Sequence, residues 1–362
     1  MTSKERLLAV LNGRHPDRIP WAPLIDGYYT SSLAEQGLRE MNVVETLRYI
    51  GADVFERHVP VVNGKMDTSV KYSVRREGDK EIQTFETPVG SVYQVYQQGG
   101  NTSFRIKHFI ENKDDVRTYK YVVQSRYYEP DYQPFIKEQD YIGDDGLATA
   151  SGPLTPIQVL LQDIMGIEGF TYAVADYPDE MHDLMEAMHK SNLECYEVMA
   201  KSPAQIIIVY EDTSTTVMSP RWFDMYCADY LDQYADILHE AGKIYISHMC
   251  GKLKGMRYQV ANLVVDGVDS ICPPTTGDTW AHEALEMWPG KVVIGGIEPP
   301  ALKRMDVEQT KAYVLDILKK VAPGDRFILS TGDATSYGTP IENLMAITEL
   351  IKQYGNYPIN YL

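Results

Sequence analysis

Two periodicities divide the chain. Apolar residues recur at helical spacing near the N-terminus, alternate with polar ones in a central stretch, and then form short runs separated by helical segments. Thr2 stands three residues before Glu5, a capping-box spacing that predicts a helix running to Gly13. "RIPWAPLI" reads as a first strand, "VVETLRYIG" as a helix closed by Gly51, and "ADVFERHVP" as a second strand. From about Lys65 to Lys120 the period drops to two. The segment "TSVKYSVRREGDKEIQTFETPVGSVYQVYQQ", with its Gly-containing turns, predicts an antiparallel β insertion.

From "GLATASGPLTPIQVLL" onward the order is strand, loop, helix, repeated. "AQIIIVYED", "KIYISHMC", "VDGVDSICPP", "GKVVIGGIEPP" and "DRFILSTGD" read as strands. Ser219 and Pro220 open a helix over "RWFDMYCADYLDQYADILHEAG". Further helices are expected near "TWAHEALEMW" and "VEQTKAYVLDILKKVA". The closing helix is expected to start at Thr339, with Pro340 at its first position and Glu342 completing a second capping box. Strands alternating with helices at this spacing imply an α/β fold with a parallel sheet and helices outside. Count and length favour a closed (β/α)8 TIM barrel, a single domain over residues 1–362 with the β-rich insertion at about 65–120. No GxGxxG follows a strand, and "SHMCGKLKG" is not a P-loop, so a nucleotide fold has no support.

Composition narrows the partners. The 362 residues are 44% hydrophobic and 23% charged, as in an ordinary soluble globular protein. No apolar run approaches a membrane span, and "MTSKERLLAVLNG" lacks the apolar core of a signal peptide. Cys195, Cys227, Cys250 and Cys272 are too scattered for a disulfide framework, so a reduced, cytoplasmic protein is expected. A net charge of −17 without a basic cluster excludes a nucleic-acid partner. The 26 tyrosines against 8 phenylalanines suit a pocket or an interface, or a half-exposed shell.

In such a barrel the chemistry sits at the C-terminal strand ends. Glu211, Asp212, His248, Cys250, Cys272, Glu298 and Asp333 would gather at one mouth. His248 and Cys250 are two residues apart on a strand, so both would face that mouth as two ligands of a tetrahedral zinc. The competing reading makes them core packing. Cys195 and Cys227, in helical patterns, are expected to pack, and Cys272 is better read as packing than as a ligand.

The motifs "SKERLLAVLNGRHPDRIPWAP", "SPRWFDMYCADYLDQYADILHEAGKIYISHMCG", "GGIEPPAL" and "STGDATSYGTPIENLMAI" together resemble the uroporphyrinogen decarboxylase superfamily, and more closely its cobalamin-dependent methyltransferase branch. The resemblance runs end to end and implies a single-domain (β/α)8 barrel. Decarboxylases of the family carry an Arg-rich RQAGRY-type motif and a catalytic Asp in an "FSDIL" context. Here the matching stretches are "WAPLIDGYYTSS" and "VFERHV", so tetrapyrrole decarboxylation is not expected. In the methyltransferase branch "HMCG" holds the His and first Cys of a zinc site, which implies His248 and Cys250. The third ligand there is a Cys, where this chain has Asp333. Exchanging thiolate for carboxylate would give a harder zinc, better suited to an ether oxygen than to a thiol. Glu211 would supply a fourth ligand or hold the open position, and Glu211 and Asp333 take the catalytic roles.

The function so implied is methyl transfer from a small O-methylated substrate, a methoxyaromatic above all, to the corrinoid of a separate partner protein, with zinc as cofactor. Tyr28 and Tyr29 are candidate substrate contacts. The alternatives are methyl transfer from a methylcobamide to a thiol of the coenzyme M type, and a metal-free barrel that binds small molecules. Oligomeric state is left open, a homo-oligomer being compatible with all three.

Overall fold

The capping box at Thr2 forms, with the Glu5 N–H donated to the Thr2 hydroxyl and the Thr2 N–H to the Glu5 carboxylate, and the helix spans Ser3–Leu11. Its apolar face enters the main core, where Leu7, Val10 and Leu11 meet Phe55, Ile206, Ile208, Ile246, Ile294 and Ile328 from the strands. The computed structural model describes residues 1–100 and 102–360 and divides into two compact units.

The first unit comprises Met1–Val61, Tyr132–Gly152 and Pro203–Leu362. Its strands are β1 (Val54–Glu56), β2 (Gly146–Ala148), β3 (Ala150–Gly152), β4 (Ile206–Glu211), β5 (Ile244–Met249), β6 (Gly267–Ile271), β7 (Val292–Ile297) and β8 (Phe327–Thr331). β3 to β8 form one six-stranded parallel sheet in sequence order, and β1 pairs in parallel with β2. Only Thr149 separates β2 from β3; its N–H donates to the Glu56 carbonyl at 2.8 Å and its carbonyl accepts from Val59 at 3.0 Å.

Residues 20–22 lie between β8 and β1, in the place of the expected first strand. The Leu329 N–H donates to Pro20, Ala22 donates to Leu329, and Asp53 donates to Trp21, at 2.8 to 3.0 Å. The expected first strand is therefore reduced to a single parallel bridge, Trp21 to Leu329. Pro20 and Pro23 remove the N–H donors that a longer ladder needs. The architecture is the expected α/β class of (β/α)8 type.

The second unit comprises Val62–Asp131 and Pro153–Ser202. A four-stranded antiparallel sheet runs through Lys71–Glu77, Lys80–Thr87, Gly90–Gly99 and Thr102–Lys107, and Val62–Met66 pairs with Arg126–Pro130. The alternation expected to reach Lys120 ends at Lys107. Lys113–Gln124 is a helix whose Asn112 cap accepts from the Asp115 N–H and whose Val116, Tyr119, Val122 and Val123 are buried at helical spacing.

Two other expectations need correction. The helix after Ser219 breaks at Cys227 into Pro220–Tyr226 and Ala228–Glu240. The closing helix spans Ile341–Tyr354 without a capping box: the Thr339 hydroxyl turns back to the Ser336 carbonyl, and the Ile341 N–H is capped by the Gln36 side chain at 3.0 Å. Among the described residues no helix is long and apolar enough to cross a membrane.

Candidate functional site

Parallel pairing puts Tyr210 (β4), His248 (β5) and Asp269 (β6) side by side, since Tyr210 is the register partner of His248 and His248 that of Asp269. The Tyr210 and His248 rings lie 5.0 Å apart, and the ring of His58, just beyond β1, stacks on Tyr210 at 4.1 Å. His58 Nδ1 is bound to the Ser151 hydroxyl at 2.9 Å. Asp269 is fully buried; one carboxylate oxygen meets His248 Nδ1 at 2.7 Å, and both oxygens accept from the Arg57 guanidinium. Burial alone would raise the Asp269 carboxyl, but Arg57 and then His248 overcome it and hold it well below the usual carboxylate range. The Tyr210 hydroxyl lies beside Arg57, without an aligned hydrogen bond among the described residues.

Backbone strain marks the same place. His58 (φ 65°) and Ser270 (φ 72°) hold left-handed conformations unusual for residues with a Cβ. Ser270 lies in a register irregularity between Val268 and Ile271, and its hydroxyl is tied to the Gly332 carbonyl at 2.6 Å. Such an irregularity re-aims neighbouring side chains, here Asp269.

The residues expected to hold zinc are placed differently. β5 ends at Met249, so strand alternation does not extend to Cys250, which lies in the turn before Gly251 (φ 86°). The Cys250 thiol is 3.7 Å from Asp212, and burial, then the charges of Asp212 and Asp333, push it upward. Glu211 is fully buried, with the Cys227 thiol 3.7 Å from its carboxylate. Cys227, read as plain packing, therefore has a polar neighbour at the strand end. Asp333 accepts the N–H of Ala334 at 2.7 Å, a turn-shaping contact. Cys272 is buried, its thiol pushed up to about 12 chiefly by burial, and Cys195 is buried in the second unit. Glu298 is held by Thr275 and Thr276, with Arg304 at 3.5 Å.

A His whose Nδ1 is held by a carboxylate is what zinc-bound imidazoles usually show. Yet among the described residues no three His, Cys, Asp or Glu side chains converge to hold a metal ion. As placed, the four expected ligands do not converge: His248 is held by Asp269, Cys250 lies past the end of β5 beside Asp212 and Asp333, and Glu211 lies against Cys227. Tyr29 is also corrected as a substrate contact: it is fully buried and donates its hydroxyl to the Thr339 carbonyl at 3.2 Å. Tyr28 is exposed and packs against Tyr337, ring centroids 4.8 Å apart.

Arg57, His58, Tyr210 and Asp269 were not singled out by sequence. The available signal was a charged residue inside an otherwise small and apolar strand, "VDGVDSI", together with the Arg-His pair in "VFERHV".

Beside Arg57 lies a cavity of about 390 Å³ whose lining includes Glu56, His58, Pro134 and Glu138. Glu56 Oε2 is buried there without a hydrogen-bond partner among the described residues. Burial, then the Glu138 charge, raise the Glu56 carboxyl to about 7 against the pull of Arg57. Its folded value exceeds its unfolded one, so its contribution is fully present below the unfolded value and is lost as pH rises through about 7. Glu56→Gln should thus stabilise the protein on the order of 2 kcal/mol at pH 8 and by nothing measurable at pH 4. Urea unfolding at both pH values measures this; equal effects at the two would contradict it.

Residues 147–354, more than half of the chain, match the family described as uroporphyrinogen decarboxylase (URO-D). The chain belongs to this family. Among curated relatives, the uroporphyrinogen decarboxylase of Prochlorococcus marinus (strain MIT 9515) is 29% identical over 177 residues, 48% of each chain. That of Coxiella burnetii (strain Dugway 5J108-111) is 22% identical over 187 residues, 51% of each chain. The match thus spans about half the length of these relatives. Among solved structures, a methyltransferase from Methanosarcina mazei superposes with a TM-score of 0.66 over 98% of this chain and 99% of that one, at 16% identity. At that identity the likeness establishes the fold.

Proposed function

We propose that this family member is a methyltransferase that moves a methyl group from a small O-methylated compound, best a methoxyaromatic, to the corrinoid of a separate partner protein. The observation that carries this reading is the charge and shape of the strand-end site. Its buried cation, Arg57, is neutralised by Asp269, while Glu56 lies beside Arg57, and Asp212 and Asp333 lie beside Cys250. A polycarboxylate substrate would meet repulsion there. A neutral aromatic ether would meet the ring of His58 stacked on Tyr210 and the tilted ring of His248 beside it. The fold shared with the Methanosarcina mazei methyltransferase is consistent with this reading.

The partner's corrinoid, as methyl acceptor, supplies the nucleophile. The chain's own task is at the oxygen. As the C–O bond breaks, its electron pair stays on oxygen, which needs a proton to leave as a neutral phenol. With the Nδ1 hydrogen of His248 engaged by Asp269, Nε2 is the ring nitrogen left to take up a proton from solvent and pass it to that oxygen. This assigns to His248 the role first expected of Glu211 and Asp333. Zinc enters only as an ion that His248 and Cys250 would have to gather by rearrangement, and no step depends on it.

Incubation of the purified protein with 2-methoxyphenol and cob(I)alamin, with chromatography of the phenolic product, tests the proposal; demethylation is expected. Loss of carboxylates from uroporphyrinogen, with no ether cleavage, would overturn it. Elemental analysis of wild type and His248→Ala is expected to show whatever zinc is retained falling at least severalfold in the variant. Equal zinc in both would remove His248 from any metal role.

A further inference from the structure

We infer that Asp269 and Arg57 are positioning residues, which together fix the proton of His248 on Nδ1 and leave Nε2 facing the reacting oxygen. The inference rests on the reading of His248 as the group at that oxygen. Arg57 follows β1, whereas Asp269 belongs to β6, so the pair links strands that are not sheet neighbours. Both side chains are nearly inaccessible, at 5% and 1% exposure. A buried ion pair is a poor source of stability, because desolvation offsets much of the attraction, so its presence calls for another reason.

Donor and acceptor logic supplies that reason. A guanidinium only donates, and it occupies both Asp269 oxygens; the carboxylate therefore stays ionised and can only accept. The His248 nitrogen 2.7 Å from that carboxylate must then be the one carrying hydrogen. The strained Ser270, anchored to Gly332, keeps Asp269 aimed at both partners. Removing the carboxylate charge while leaving Arg57 should reverse the tautomer. In Asp269→Asn the guanidinium would claim the amide oxygen, leaving the amide NH2 to face Nδ1, so hydrogen moves to Nε2.

Long-range 1H–15N spectra of the full-length, chelator-treated protein at pH 8 test this, with the His248 signal identified by its loss in His248→Gln. Wild type should carry hydrogen on Nδ1. Asp269→Asn should show it on Nε2, and the double variant Arg57→Met with Asp269→Asn should return it to Nδ1, because the amide oxygen is free to accept again. A wild-type His248 without hydrogen on Nδ1, or averaging between tautomers, overturns the inference even if Asp269→Asn fails to fold. So does an unchanged tautomer in folded Asp269→Asn. The readout needs no methyl transfer: the expected tautomers without ether cleavage would sink the proposed function and keep the positioning pair. Where cleavage is observed, Asp269→Asn should lower it by about 100-fold or more.

Discussion

Replacing Asp53 by alanine is expected to destabilise the protein by about 3–5 kcal/mol, and to lower its melting temperature by roughly 10 °C. Asp53 is fully buried at the entry to β1. One carboxylate oxygen accepts from Arg6 at 2.6 Å, from Ser3 at 2.7 Å and from Arg18 at 3.1 Å; the other accepts from the Trp21 N–H at 2.9 Å and from Arg18 at 3.2 Å. This one side chain joins the first helix, the Trp21 bridge and β1. Alanine would leave Arg18 at 16% side-chain exposure without its counter-charge, and Arg6, 7% exposed, with Asp17 alone. A buried cation stripped of its partner is costly because neither water nor another acceptor replaces the lost bonds. Asp53→Asn should cost less, since an amide keeps one acceptor oxygen. Urea melts of the three proteins measure this, and a loss below about 1 kcal/mol for alanine would show that the network is dispensable.

Replacing His248 by glutamine is expected to reduce ether demethylation by about 10²- to 10⁴-fold, the usual scale for a lost proton donor. Glutamine is close in size to histidine and can still hydrogen-bond Asp269, so unfolding should not confuse the result. Its amide cannot deliver a proton to a departing oxygen. The loss should therefore be largest for ethers whose phenols are weak acids, and smaller for a nitrophenyl methyl ether, whose anion leaves unaided. Single-turnover rates with both substrate types separate the effects. An equal loss for both would mean that His248 only shapes the pocket.

How much of this was legible beforehand depended on the range of the interactions. The helix at Ser3–Leu11, its capping box and the left-handed Gly51 that ends Val43–Ile50 are local, set by residues a few positions apart. The apolar runs of β4 to β8 were likewise readable, since a strand buried on both faces is nearly continuous in Val and Ile. The second capping box failed because the Thr339 N–H and hydroxyl both turn back to the Ser336 carbonyl, while the neighbouring Ile341 N–H is taken by Gln36, some three hundred residues away.

The site divides along the same line. That His248 ends a strand at the catalytic face followed from its place in "YISHMC". That Cys250 would share its face did not hold, because alternation applies only while the backbone stays extended, and β5 ends one residue earlier. Local order along the chain thus determined the α/β class, most element positions and the strand-end location of the chemistry, because hydrophobic periodicity and caps act over a few residues. Tertiary structure decided which side chains meet: Arg57 with Asp269 across 212 positions, and Asp269 with His248 across 21. Those contacts depend on strand register and on a local irregularity at Ser270, and both arise only when the strands pair.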